Sequence, residues 1–278
     1  QIPCPATGMS KAIEQSIKEK LKNISKKEGV AFGALLETFF LERFLVRVAK
    51  STQHENLVFK GGMCLGKYLD LGRETRDLDF LVQRVESSES KIREMFREIC
   101  SVDTNDGIAF GLTDVGLLSS EHKKYPGYRL SVQGRLGQIR QQVSVDVGVG
   151  DVVRPRLLEV ELLQDKGPLF EDSVTLNAYP PEYIFAEKLE AIIYLGESNS
   201  RMKDYYDCYQ LIESRVINEE SFKEAVQATF ANRGTAFSLV PGAAEVLDLR
   251  WKRFARLNKL GDLKLAEVIR VLNQFLRD

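Results

Sequence analysis

Asp77 and Asp79, two positions apart in the segment Arg76 to Val82, are the residues whose type and spacing best suit a chemical task. If that segment is a strand, its side chains alternate, so Asp77, Asp79 and Leu81 share one face and Leu78, Phe80 and Val82 the other. Two carboxylates then point the same way, an arrangement that holds a hard cation such as Mg²⁺ together with phosphate oxygens and suits phosphoryl transfer. Asp146 stands alone on the polar side of a second strand-like run, Gln141 to Val149, whose other side carries Val143, Val145 and Val147. If that strand pairs beside the first, Asp77, Asp79 and Asp146 form a triad of metal carboxylates. Such a triad supports two ions, one at the attacking hydroxyl and one at the leaving pyrophosphate.

Three further groups add to this chemistry. Gly61-Gly62 falls between a short apolar run, Asn56 to Phe59, and a helical pattern, Met63 to Leu69, where a glycine turn lets backbone N–H groups approach a phosphate. By itself a Gly-Gly pair is an ordinary turn, and an Asp-x-Asp pair is as often a solvated edge; their order and closeness favour a nucleotide site. In the helical stretch Pro181 to Gly196, Lys188 lies within the apolar stripe of Ile184, Phe185 and Ile192, while Glu187 and Glu190 face away. A cation there is either a lysine snorkelling at the stripe edge or a ligand for a triphosphate in a cleft. Asp204 and Asp207, three apart after Arg201 and Lys203, share a helix face; capping or a structural ion pair explains them as well as catalysis does.

The elements that must position these groups read as mixed α and β. Ser10 to about Val48 is helical, broken near Gly29, with the first eight residues left out of the fold reading. Strands follow at Asn56 to Phe59, Arg76 to Val82, Tyr128 to Val132 and Gln141 to Val149, with an amphipathic helix from Ser90 to Cys100. After Pro180-Pro181 the chain turns helical, with a second helix from about Lys203 to Glu213. A boundary near Ala178 therefore divides residues 9–178, N-terminal helices plus an α+β core, from residues 179–278, a helical lobe.

Composition excludes several alternatives. Apolar residues at 44% and charged residues at 28% suit a folded globular chain, and a net charge of -1 leaves nucleic acid to a local basic patch. The four cysteines form no Cys-x-x-Cys pair and the two histidines lie far apart, so metal binding falls to carboxylates and a reducing cytoplasm is the expected setting. No apolar run has the length of a membrane span and the start lacks a signal-peptide pattern.

Taken together, Phe59-Lys-Gly-Gly62, Gly72-Arg-Glu-Thr-Arg-Asp-Leu-Asp-Phe80, Glu187-Lys188 and Arg201-Met-Lys-Asp-Tyr-Tyr-Asp207, with Leu41-Glu-Arg-Phe-Leu45 ahead of them, resemble the AbiEii family of toxin nucleotidyltransferases. The resemblance implies a polymerase-β-like nucleotidyltransferase core with a mixed sheet, and the toxin role of a bacterial toxin–antitoxin or abortive-infection pair. It implies that Gly61 and Gly62 form the nucleotide loop, that Asp77 and Asp79 bind metal and that Lys188 contacts the triphosphate. Asp204 or Asp207 would be the remaining acid, acting as the base for the acceptor hydroxyl. Thr75 matches the small hydroxyl residue before the acidic pair and Arg73 its basic neighbour; Met63 departs from the Ser or Thr usual after the glycines.

The expected function is thus Mg²⁺-dependent transfer, with one or two ions, from a nucleoside triphosphate to tRNA or another RNA, in the cytoplasm and under the control of a cognate antitoxin. Two basic clusters would serve the RNA: Arg250, Lys252, Arg253, Arg256, Lys259 and Lys264 around Trp251 and Phe254, and Lys123, Lys124, Arg129, Arg135 and Arg140. The same catalytic groups would also serve a small-molecule nucleotidyltransferase of the antibiotic-modifying kind, and a catalytically silent nucleotide-binding module would keep the fold.

Overall fold

The computed structural model describes residues 7–71, 75–118 and 127–277. Two helices, α1 (Thr7–Glu28) and α2 (Phe32–Lys50), lead into strand β1 (Leu57–Lys60), the five-residue helix α3 (Gly61–Leu65) and strand β2 (Asp77–Val82). Helix α4 (Glu89–Ser101) precedes three long strands, β3 (Ile108–Leu118), β4 (Gly127–Leu136) and β5 (Ile139–Val149), then the short β6 (Arg156–Glu159) and β7 (Thr175–Ala178). From Pro181 the described elements are helical: α5 (Pro181–Leu195), α6 (Met202–Glu213), α7 (Glu219–Arg233), α8 (Glu245–Leu257) and α9 (Leu265–Phe275).

The strands form one mixed seven-stranded sheet in the order β3-β4-β5-β2-β1-β7-β6. β2 runs antiparallel to β1 and parallel to β5, so an α+β reading with a mixed sheet is what the chain adopts. Register decides which residues meet. Phe59 lies opposite Phe80, Phe80 opposite Val147 and Leu130 opposite Val145, making one face continuously apolar. Helices α2 and α4 cover apolar sheet residues, with Phe44 against both Phe96 and Phe110. The alternate positions Lys60, Asp79, Asp146 and Arg129 are successive partners across β1, β2, β5 and β4, so four charges form one row on the opposite face.

Several sequence expectations require adjustment. β3 has no clean alternation because Gly111, Thr113 and Asp114 interrupt it and its register shifts between Leu112 and Asp114. β6 and β7 are four residues each, below the length at which a period shows. The helix expected from Met63 to Leu69 is only Gly61–Leu65, and turns continue the chain. Glu187 and Glu190 do not face solvent: α5 is buried nearly all round, and Glu190 is 1% exposed.

A buried ion cluster anchors α2 to the start of β3. Arg47 donates from Nη1 and Nη2 to the two oxygens of Asp106 at 2.9 Å each, and Arg43 Nε donates to Asp106 at 2.7 Å. Burial alone would raise the Asp106 pKa, but the two guanidiniums outweigh it and hold it down at about 2. Because the folded value lies below the ordinary 3.8, this stabilisation is full above pH 3.8 and is lost as pH falls through about 2. Asp106→Ala strands the buried Arg47 guanidinium, takes one of two acidic partners from Arg43, which keeps Asp172, and is expected to cost roughly 3–5 kcal/mol of unfolding free energy at pH 7. Urea titrations of the two proteins across pH should show that gap narrowing only below the ordinary carboxylate range.

Candidate active site

The charged row lies in a cleft of about 450 Å³ between the sheet and α5, α6 and α7. Its sheet wall carries Lys60, Gly61, Gly62, Asp79, Asp146 and Arg129; its helical wall carries Glu187, Lys188, Arg201, Lys203 and Arg233. Gly61 has φ +71°, and a Cβ built there would lie 2.0 Å from Oδ2 of Asp79. The turn after β1 therefore closes directly over the carboxylate, which only glycine permits. Sequence reasoning read Gly61 as phosphate-facing; the structure adds that its missing side chain is what leaves room for Asp79.

Asp79 and Asp146 are partners in the parallel β2–β5 ladder, with Asp77 opposite Ser144 on the same face. Asp77 is exposed and Asp79 half-buried, and Thr75 is partly buried just before β2. Burial raises the Asp79 pKa to about 6; Asp146 and Asp77 add to the rise, while Lys60 and Lys203 oppose it. The carboxylates offer hard oxygen donors, the ligand type a Mg²⁺-type cation prefers, and no His or Cys lines the cleft among the described residues. Among the described residues no three such side chains converge to hold an ion on their own. Asp146 already accepts two hydrogen bonds from Arg129, at 2.8 and 2.7 Å.

The sequence matches the family described as nucleotidyl transferase AbiEii toxin, type IV toxin–antitoxin system, over residues 43–269. The chain belongs to the AbiEii family. It is accordingly a nucleotidyltransferase, and its family implies a nucleoside triphosphate substrate and a cognate antitoxin. Among solved structures it resembles MenT4, a nucleotidyltransferase toxin from Mycobacterium tuberculosis H37Rv, at 18% identity and TM-score 0.54, covering 91% of this chain and 93% of that one. It also resembles JHP933 from Helicobacter pylori, at 14% identity and TM-score 0.50, over 89% of this chain and 92% of that one. At these identities the likeness concerns the fold. No curated protein matches the chain in sequence.

In this AbiEii protein the helical wall is organised by two ion clusters. Lys188 Nζ lies 2.9 Å from Asp204 and 2.8 Å from Asp207, and Arg201 Nε donates to Asp204 at 2.6 Å. Burial opposes the charge on Lys188, but the two carboxylates outweigh it and raise its pKa. Both aspartates are at 0% exposure and neither lines the cleft; Asp204 makes ion pairs and no capping hydrogen bond is formed at the start of α6. The second cluster joins Lys60 to Glu187 at 2.7 Å, and Arg233 to Asp151 at 2.9 Å and Glu190 at 2.7 Å. Lys60, Glu187 and Arg233 thus line the site although the sequence reading gave none of them a role there. For Lys60 a signal existed, because it precedes Gly61 on the face opposite Phe59. Met63 is buried in the core, so its departure from the family pattern falls outside the cleft lining. Arg73, Lys123 and Lys124 lie outside the described residues, and Arg135 and Arg140 pair with each other at the far end of β4 and β5.

Two outcomes follow from the Asp79 environment. Its raised pKa means that ionising it opposes folding above about pH 6, an effect that vanishes below 3.8. Asp79→Asn should therefore be more stable than the parent at pH 7.5 by about 1–3 kcal/mol, seen as a higher melting temperature, with the difference gone at pH 4. Gly61→Ala forces a side chain against Asp79 in left-handed backbone and should lower stability by more than about 1 kcal/mol, with nucleotide transfer lost even where the protein remains folded. Melting curves and transfer assays on the same sample would show both effects.

Proposed function

We propose that this nucleotidyltransferase transfers a nucleotide from a nucleoside triphosphate to an RNA acceptor, tRNA foremost, with Mg²⁺ held by Asp77 and Asp79 and assisted by Asp146. The observation that carries this reading is the Asp79 carboxylate packed under Gly61 beside Asp146 in a cleft ringed by cations. Bound there with substrate phosphates, the cation would lower the charge on the transferring phosphoryl group and activate the attacking oxygen. Gly61 and Gly62 form the turn that would admit the phosphates, with Thr75 two residues before β2; because α3 has only five residues, backbone N–H groups matter more here than a helix dipole.

Lys188 faces the cleft, and Asp204 and Asp207 keep it protonated and fixed in direction, so it is available to developing negative charge on the phosphates. We assign the two aspartates this positioning part. The base role that family resemblance implies for one of them does not suit side chains with no exposure. Favouring RNA over a small acceptor is a second concavity of about 490 Å³, lined by Arg201, Lys203, Arg250, Arg253, Phe254 and Leu257. It shares Arg201 and Lys203 with the cleft, offering charges for a phosphate backbone and apolar surface beside them. In the cell, this reading makes the protein a cytoplasmic toxin that arrests growth or aborts phage infection until an antitoxin counters it. No described helix is long and apolar enough to cross a membrane.

The test is incubation of the protein with Mg²⁺, each labelled nucleoside triphosphate in turn and total bacterial tRNA. Label should enter RNA, and Asp79→Ala should reduce it by at least about a hundredfold without loss of fold. Absence of label in RNA from the parent protein would overturn the RNA acceptor and turn the search to small molecules. Lys188→Ala should weaken triphosphate use and, by removing the buried cation that Asp204 and Asp207 share, also destabilise the protein by roughly 3–5 kcal/mol, read from urea unfolding.

A further inference from the structure

The two cations at the ends of the charged row differ in freedom. Lys60 has an 11% exposed side chain, bound to Glu187 at 2.7 Å and to Asp151 at 3.4 Å, so it is fixed by partners outside the row. Arg129 has a 56% exposed side chain whose contacts to acid run to Asp146, itself 21% exposed. That contact is bidentate: Nε donates to Oδ1 at 2.8 Å and Nη2 to Oδ2 at 2.7 Å, so one guanidinium edge occupies both oxygens. A cation could not take those oxygens without competing with it.

An exposed ion pair is weakly held, and a guanidinium fork fits a phosphate as well as a carboxylate. Arg129 lines the same cleft as Gly61, Gly62 and Lys188, where the phosphates of a nucleotide would lie. We propose that Arg129 is a phosphate-binding residue that, in the nucleotide-free protein, covers Asp146 and releases it to the cation when the nucleotide's phosphates draw the guanidinium away. The inference rests on the reading of Asp79 as a metal ligand and adds to it a coupling between nucleotide and metal. Because Asp146 becomes free only when Arg129 has another anion, each ligand strengthens binding of the other by the same factor. A plain cross-strand ion pair stabilising β4 against β5 would carry no such coupling.

Calorimetric titration with Mn²⁺, with and without a non-hydrolysable nucleoside triphosphate analogue, separates the two cases in the parent protein, Arg129→Ala, Arg129→Lys, Asp146→Asn, Asp79→Asn and the Arg129→Ala/Asp146→Asn double variant. Expected for Arg129→Ala is nucleotide-free Mn²⁺ binding about fivefold tighter than in the parent, the scale of an exposed ion pair. Its analogue affinity should fall, and the analogue should no longer improve Mn²⁺ binding as much as in the parent. Arg129→Lys, with the charge but without the fork, should fall between. In the Asp146→Asn background, removing Arg129 should leave nucleotide-free Mn²⁺ affinity unchanged. Unchanged or weaker nucleotide-free Mn²⁺ binding in Arg129→Ala, while Asp79→Asn abolishes it, would overturn this inference and leave the metal reading standing. Mn²⁺ binding indifferent to Asp79 would overturn both.

Discussion

Asp79 and Asp146 are held side by side on adjacent strands, half out of water, and much of the surrounding structure serves to make that like-charge pair tolerable. Burial is the main cause of the rise of the Asp79 pKa to about 6, and the charges of Asp146 and Asp77 add to it. Lys60 and Arg129 flank the pair in the row, and Lys203 adds its charge across the cleft. Gly61 closes over it without adding apolar atoms that would desolvate it further. The site is therefore a local instability of about 1–3 kcal/mol at neutral pH, set within a fold that tolerates it.

That tolerance comes from ion clusters with the opposite character. Around Asp106, two arginines face one acid whose affinity for protons falls, so the charges there favour the folded state at neutral pH. Around Lys188, one lysine faces two acids from the next helix, which fixes α5 against α6. Around Lys60 and Arg233, the sheet and helices α5 and α7 are joined through Glu187, Glu190 and Asp151. The cleft is thus a seam between two packed layers, with its walls set by ion pairs made behind its surface.

The sequence disclosed the parts of this arrangement that obey a short period. Asp77 and Asp79 on a strand, Asp146 opposite a valine row and Lys188 on an apolar stripe all follow from alternation or helical spacing. What it withheld was register: nothing local says that β2 lies beside β5, or that Asp79 falls opposite Asp146 and not Ser144. The partners of Lys60 and Arg233 were equally hidden, since Lys60 reaches Glu187 across 127 positions and Arg233 reaches Asp151 across 82. Helical spacing turns Glu187 and Glu190 away from the one apolar stripe it reveals, a pattern that fails for α5 because sheet and helices enclose it. β3 escaped because its bulge and glycines erase the alternation that identifies a strand.

The pairing of charges also bears on how a nucleotide would enter. The lining looks strongly basic, with Lys60, Arg129, Lys188, Arg201, Lys203 and Arg233 against Asp79, Asp146 and Glu187. Yet Asp204 and Asp207 stand behind Lys188 and Arg201, and Asp151 and Glu190 behind Arg233, so most of that positive charge is neutralised within a few ångströms. A bare polyanion would meet a cleft of nearly balanced charge, with an acidic pair at its floor. On the proposed reading, a divalent cation arriving with the phosphates and shared between them and Asp79 would supply the attraction. On that reading the same balance would limit the field of the cleft groups on an RNA backbone, and the exposed Arg253 and Arg256 of α8 would supply attraction at a distance. Lys60, Lys188 and Arg233 are fixed by acidic partners, whereas Arg253 and Arg256 of α8 stay in water.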